Sequence, residues 1–471
     1  MPPGSLVLEA GGRRAEPRSS PRTRGYHPGS WAGDESRRCP PGPPHGPPPG
    51  GTAARSARTK PAGGARLIQQ QLDAPTTLRD VAVPLGATFA IQTLVALSLI
   101  AAPVLAPVVA PELGLSPTAV GYYITIAYVG SMAGTITAGG WVARFGPMRV
   151  SQLALAACVI GTLLAATAWP PAIVLAALFV GLGYGPASPA SSQILARSAP
   201  PSIVALTFSL KQTGVPVGGI LAGALIPGLS LWLGWQAAAL FIGALCLLLL
   251  LAVQPLRPRY DRSADPTASI SLRAIARPLR MVLREPELRE MTAASFVFAS
   301  MQATLTTYLV TFITEDFGVG VVTAGLVMAV SQAASVAGRL GWGAMADRRV
   351  TRRVMLGLLG LGMFACTSAT LTTGGGWPLW LLFLFAAAFG ATAVGWNGVF
   401  LAEVAHLAGP DRASPATGGA LFFTFLGVVI TPPLFNLVLA TSGSFGVTYA
   451  IFGLPALVIG VRLLRGGSAT G

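Results

Sequence analysis

The sequence predicts an all-α membrane protein of twelve transmembrane helices in two pseudo-symmetric six-helix bundles, preceded by a disordered N-terminal tail. Three observations predict it. Mean hydropathy is +0.63 and only 10% of residues are charged, whereas soluble domains carry about 25%. Apolar runs of about 20 residues, enough at 1.5 Å rise to cover roughly 30 Å of hydrocarbon, recur twelve times. The stretch "SMAGTITAGGWVARFGPMRV" (131–150) also returns in register as "SVAGRLGWGAMADRRVTRRV" (335–354). Ser131, Ala133, Gly134, Gly139, Arg144 and Arg149 pair with Ser335, Ala337, Gly338, Gly343, Arg348 and Arg353. An internal repeat in so apolar a chain points to two homologous membrane-embedded halves.

The first six runs lie near 81–108, 117–141, 147–168, 171–196, 203–228 and 233–254. The second six lie near 289–313, 320–345, 353–372, 377–402, 413–439 and 446–464. Backbone groups in lipid must be satisfied within the segment or its closed sheet, so runs of this length are read as helices. Domain boundaries follow: a tail over 1–75, an N-terminal bundle over 76–255, a linker over 256–288 and a C-terminal bundle over 289–471.

Charge sets the expected orientation. Arg144 and Arg149, Arg197, the cluster Arg257–Arg284, Arg348–Arg353, and Arg462 with Arg465 fall in alternate loops or at the C-terminus. The intervening loops hold Glu112, Glu315 and Asp316 and no Lys or Arg. By the positive-inside rule the arginine side is cytoplasmic, with both termini inside a plasma membrane, the bacterial inner membrane. The net charge of +15 is thereby explained by topology and tail, and nucleic-acid binding is not expected.

Residues 1–75, centred on "PPGPPHGPPPGG", are too poor in apolar residues to fold. They lack the apolar stretch of a signal peptide. A flexible tail and a misassigned start are both open readings. Cys39, Cys158, Cys246 and Cys366 have no paired spacing, and His27, His45 and His406 are dispersed, so no metal site, disulfide framework or cofactor is expected. No nucleotide loop or nucleophile–base pair argues for an enzyme. Between spans six and seven the linker predicts, from Ser269, a basic amphipathic helix with Ile270, Leu272, Ile275, Leu279 and Val282 on one face. It is either a surface helix on the inner leaflet or a solvated connection.

Twelve spans in two halves, a long central loop and the duplicated loop motif together resemble the major facilitator superfamily. Its signature between spans two and three is Gly-x-x-x-Asp-Arg/Lys-x-Gly-x-Arg/Lys-Arg/Lys. The first copy offers Gly139, Ala143, Arg144, Gly146 and Arg149, with alanine in place of the Asp. The second offers Gly343, Asp347, Arg348, Arg352 and Arg353, with Val350 in place of the second Gly. The resemblance implies a latch at the cytoplasmic end, with glycines allowing close helix approach and an Asp pairing with arginines near a helix terminus. Losing the carboxylate at Ala143 puts the first-half latch in doubt and leaves Asp347 as the one to trust.

Ionisable residues inside a membrane are costly and therefore informative. Lys211, in "ALTFSLKQTGVPVGG", is placed roughly 13 Å into span five, and Arg339 roughly 12 Å into span eight from the same face. In the family fold these spans face each other, so one cation from each half would flank the central cavity. Two cations without a carboxylate want an anion. Arg339 also occupies the place where monocarboxylate and oxalate–formate permeases look to carry a substrate arginine. The alternatives are snorkelling to the cytoplasmic surface or a helix-packing ion pair.

In span four, "GLGYGPASPASSQ" is expected to break at Pro186 and Pro189 and expose carbonyls beside Tyr184, Ser188, Ser192 and Gln193. Gln92, Gln212, Gln302 and Asn397 supply further polar groups. Glu403, near the inner end of span ten, is the deepest carboxylate and a candidate proton carrier. The expected function is a secondary transporter, a permease or symporter for a small organic anion, working as a monomer by alternating access with lipid, solute and protons as its partners. The alternative is proton-coupled drug efflux, although "GVPVGG" in span five departs from the Gly-Pro-x-x-Gly-Gly of drug exporters. A transport-dead sensor is a third reading.

Overall fold

A computed structural model describes residues 78–199, 203–262, 264–267, 276–409 and 412–467. The tail and residues 268–275 of the linker therefore lie outside the described residues. Every long element described is a helix. Twelve are long and apolar enough to cross a membrane: Val81–Glu112, Pro117–Phe145, Pro147–Ala166, Pro170–Ser198, Thr207–Leu233, Trp235–Tyr260, Pro286–Phe317, Val321–Ala346, Arg352–Thr373, Leu379–Ala408, Pro415–Ser442 and Phe445–Gly466. We call them spans one to twelve.

Packing repeats between the halves. Span one packs on five, two on four and three on six; seven packs on eleven, eight on ten and nine on twelve. These are the same pairings six spans apart. The halves meet chiefly where span five faces eight, two faces eleven and one faces seven. Spans one and seven are the most enclosed by protein, which makes their polar residues neighbours of the central axis.

The two ends of this interface differ. At the end opposite the arginine loops, the Asn436 amide donates to the Thr118 carbonyl at 3.1 Å, and Tyr308 donates to Asn436 Oδ1 and to the Pro432 carbonyl, both at 2.9 Å. Gly121 leaves room for the Tyr308 hydroxyl, and Gly223 and Gly325 let spans five and eight meet backbone to backbone. The hydroxyl of Thr125 reaches the Val429 carbonyl at 3.1 Å. That end is closed.

At the arginine-bearing end, nothing lies within 4 Å of where a side chain would begin at Gly139, Gly343 or Gly418. The close helix approach expected at the two motif glycines is not present, since no other helix comes within 4 Å of where either side chain would begin. The linker helix, Ala276–Arg284, differs from a leaflet-bound helix as well. Its Val282 is fully buried, packed against Gly419 of span eleven, so its apolar face meets protein.

The two motif loops are also built differently. Gly146 has φ +88° and ψ 154°, a region reserved for glycine, and Pro147 then opens span three. The carboxylate of Asp261, from the segment after span six, accepts the backbone N–H of Met148 at 2.8 Å and of Arg149 at 3.1 Å. Burial raises its carboxyl above the ordinary aspartate range, opposed by these two bonds and by Arg257 and Arg149. The Asp265 N–H donates to the Ala143 carbonyl at 2.8 Å, which docks the same segment beside the position lacking the motif Asp. In the second loop Thr351 caps span nine locally, its hydroxyl accepting from Val354 N–H at 3.3 Å. Arg353 pairs with Glu290 of span seven, which also holds Arg462 of span twelve at 2.9 Å. Arg144 stacks over Phe145 at 5.5 Å, and Arg149 and Arg348 are exposed. The backbone of Asp347 lies in the last turn of the helix Val321–Arg348, just past the end of span eight.

Candidate anion site

The site is built where span five is interrupted. "KQTGVP" places Thr213 between two helices, Val204–Gln212 and Gly214–Leu233. Pro216 has no N–H, so the Gln212 carbonyl four residues earlier loses its helical partner. Arg339 supplies the replacement from the facing half: its Nη1 donates to that carbonyl at a long 3.4 Å. Gly214 brings the interruption against span one, close to Gln92 and the Phe89 carbonyl.

Lys211, in the last turn of the shorter helix, is 0% exposed. Its ammonium donates to Ser188 Oγ at 2.8 Å, to the Ser188 carbonyl at 3.3 Å and to Gln212 Oε1 at 3.2 Å. All three ammonium donors thus face neutral oxygens. Gln212 touches both cations, Lys211 through its side chain and Arg339 through its backbone. Neither cation forms an ion pair among the described residues. The Arg339 Nε is buried without a hydrogen-bond partner. A guanidinium carries five N–H donors in a planar fork, so most of its capacity for an acceptor is unused.

Rings complete the surroundings. Tyr184 of span four lies one helical turn before Ser188, the residue that holds the Lys211 ammonium. Its ring centroid is 6.0 Å from that of Tyr128 in span two, which is 6.1 Å from Phe425 in span eleven. Tyr128 and Phe425 were not legible as site residues, since a lone aromatic in an apolar span carries no signal of which way it faces.

The structure thus brings together Lys211, Arg339, Gln212 and Tyr184. Gln302 and Asn397 pair with each other at 3.3 Å, between span seven and an interruption in span ten at residues 394–396. Gln92 is buried with Oε1 unpartnered, and so is the Oε1 of Gln193, further along span four from Ser188. Glu403 is buried near the arginine-bearing end of span ten. The expected break in span four is absent: the helix runs from Pro170 to Ser198 through both prolines. A hydroxyl from span two takes up one freed acceptor instead, and a second hydroxyl binds span four nearby. Thr135 donates to the Gly185 carbonyl, the one Pro189 leaves unbonded, at 3.0 Å. Ser131 reaches the Gly181 carbonyl at 3.1 Å.

This architecture agrees with comparisons to known proteins. The sequence profile of the Major Facilitator Superfamily matches residues 88–432. The chain belongs to the Major Facilitator Superfamily. It is therefore a multi-pass membrane protein of a transporter family and not an enzyme.

Among similar proteins, a gallate transporter of Pseudomonas putida is 26% identical over 379 residues, covering 69% of this chain and 84% of that protein. A 3-(3-hydroxy-phenyl)propionate transporter of Escherichia coli is 29% identical over 142 residues, covering 30% of this chain and 35% of that protein. Among solved structures, a POT family transporter in complex with 5-aminolevulinic acid superposes with a TM-score of 0.67 at 14% identity, over 82% of this chain and 96% of that one. That likeness is one of fold.

Proposed function

We propose that the chain is a secondary transporter that moves a small organic carboxylate by alternating access. The observation that carries this reading is a pair of cations, one from each half, joined by Gln212 with no carboxylate partner. Leaving such charges unpaired away from water costs several kcal/mol each. A carboxylate bound between them offsets part of that cost and fills the unused guanidinium donors. Two relatives transport gallate and a hydroxyphenylpropionate, both aromatic acids, and the run of rings from Tyr184, one turn before Ser188, through Tyr128 to Phe425 suits that class.

Closure at one end and open space at Gly139, Gly343 and Gly418 at the other support an inward-facing state, with the arginine loops cytoplasmic and both termini inside. In this reading Arg144, Arg149, Asp347, Arg348, Arg352 and Arg353 close the cytoplasmic end when the halves rock together. Gln92, Gln193, Gln302 and Asn397 line the route as hydrogen-bonding groups. Glu403 or the substrate's own carboxyl carries any coupled proton. The transporter acts as a monomer.

The test is counterflow of labelled benzoate into proteoliposomes, which depends on neither the coupling ion nor the physiological direction. Lys211→Ala is expected to abolish it while the purified variant stays folded and monodisperse. Full-rate exchange by a folded Lys211→Ala overturns the site.

A further inference from the structure

We propose that the cavity between spans two and eleven is an aryl subsite of the transport site, taking the ring of an aromatic carboxylate whose acid end sits at Arg339 and Lys211. The proposal rests on the organic-anion reading and extends it to what selects among anions. The cavity has a volume of about 260 Å³ and is lined chiefly by Met132, Thr135, Ile136, Leu279, Phe422 and Phe425. An engineered apolar cavity of about 150 Å³ already accepts benzene, so this one has room for a ring and a short side chain.

Its position is what connects it to the cations. Phe425 forms part of its wall, its ring centroid is 6.1 Å from that of Tyr128, Tyr128 is 6.0 Å from Tyr184, and Tyr184 lies one helical turn before Ser188, whose Oγ accepts from Lys211 at 2.8 Å. A continuous run of rings thus leads from the charged groups to the cavity, and aromatic pairs add about 0.5–1.5 kcal/mol beyond burial of area. Thr135 occupies in the first repeat the place of Arg339 in the second. The interface of spans five and eight therefore presents charge, and its pseudo-symmetric counterpart between two and eleven presents an aromatic hollow. A ligand with a carboxylate at one end and a ring at the other is complementary to that polarity. A two-carbon spacer sets the ring further from the carboxylate than benzoate does, toward the cavity, so the two acids differ in how much they use it.

Gly418 offers the probe, because it lines the cavity and has nothing within 4 Å of where a side chain would begin. Counterflow of labelled benzoate and 3-phenylpropionate is measured for the wild type, Gly418→Ala and Gly418→Leu. In Gly418→Leu the ratio of 3-phenylpropionate to benzoate uptake falls about tenfold, in the range that one or two methylenes command in an apolar pocket, and Gly418→Ala is intermediate. An unchanged ratio in folded Gly418→Leu, with both acids still transported, overturns the aryl subsite alone and leaves the hollow to lipid tails. Should Gly418→Leu fail to fold, the Gly418→Ala ratio decides in the same way. Exchange of neither acid by the wild type overturns this proposal together with the organic-anion reading.

Discussion

In span eight the repeated segment carries Arg339, which crosses to the other half and meets the Gln212 carbonyl. In span two the same position is Thr135, which stays within its own half and donates to the Gly185 carbonyl. The loops that follow diverge in the same manner. The first turns on Gly146 and borrows Asp261 from beyond span six, while the second is capped by its own Thr351 and tied by Arg353 to Glu290. The shared Ser131 and Gly134 in one copy and Ser335 and Gly338 in the other lie where spans pack closely. The differing pairs Thr135/Arg339 and Gly146/Val350 place a charge or direct the chain. Duplication therefore supplies the frame, and divergence supplies the chemistry.

The largest expected effect comes from removing the chemistry and keeping the frame. Lys211→Met replaces a buried cation that has no ion-pair partner by an apolar side chain of similar length, and so removes a desolvation cost of several kcal/mol. The ligand-free variant should therefore melt at or above the wild-type temperature, and benzoate should no longer raise that temperature. A variant that melts lower and still responds to benzoate would make Lys211 a structural residue like its surroundings.

The loops separate next. Gly146→Ala forces a side chain into a glycine-only conformation and against the Asp261 carboxylate, a cost of about 1–3 kcal/mol. At the matching position of the second loop valine is already tolerated, so Val350→Ala should change the melting temperature little. Equal losses at both sites would show that the two turns are alike after all.

A smaller contrast concerns the caps. Asp261→Ala and Thr351→Ala each remove a helix cap worth about 0.5–2 kcal/mol. Only Asp261→Ala should also increase hydrogen exchange in the linker around Asp265, because only that cap ties the linker to the first loop. Matched exchange in the two variants would contradict a linker-borne cap.

The frame was legible because its signals are long and repeated. Runs of apolar residues report bilayer crossing, and alternation of arginine-bearing loops reports which ends are alike. Lys211 and Arg339 stood out because a cation in an apolar span is costly. What lay beyond the sequence depended on neighbours distant in the chain. Pro186 and Pro189 promised a break in span four, yet hydroxyls from Ser131 and Thr135 take up span-four carbonyls and the helix continues. The interruption at Thr213 is set by Pro216 together with Gly214's contact on span one. Gly395 lies inside the interruption at 394–396, but a lone glycine in an apolar span is too weak a local sign to mark it. The Gly139 and Gly343 contacts belong to a closed arginine-bearing end, which is not the arrangement here.

The central claim is that Arg339 and Lys211 bind the charge of a carboxylate. Calorimetric binding of benzoate against benzamide, its neutral counterpart of nearly equal shape, tests it most directly. A hydrogen bond to a charged group contributes about 1.5–3 kcal/mol, so the wild type should prefer benzoate by about 10- to 100-fold. That preference should disappear in Arg339→Ala. Equal affinity for benzoate and benzamide in the wild type would contradict the account.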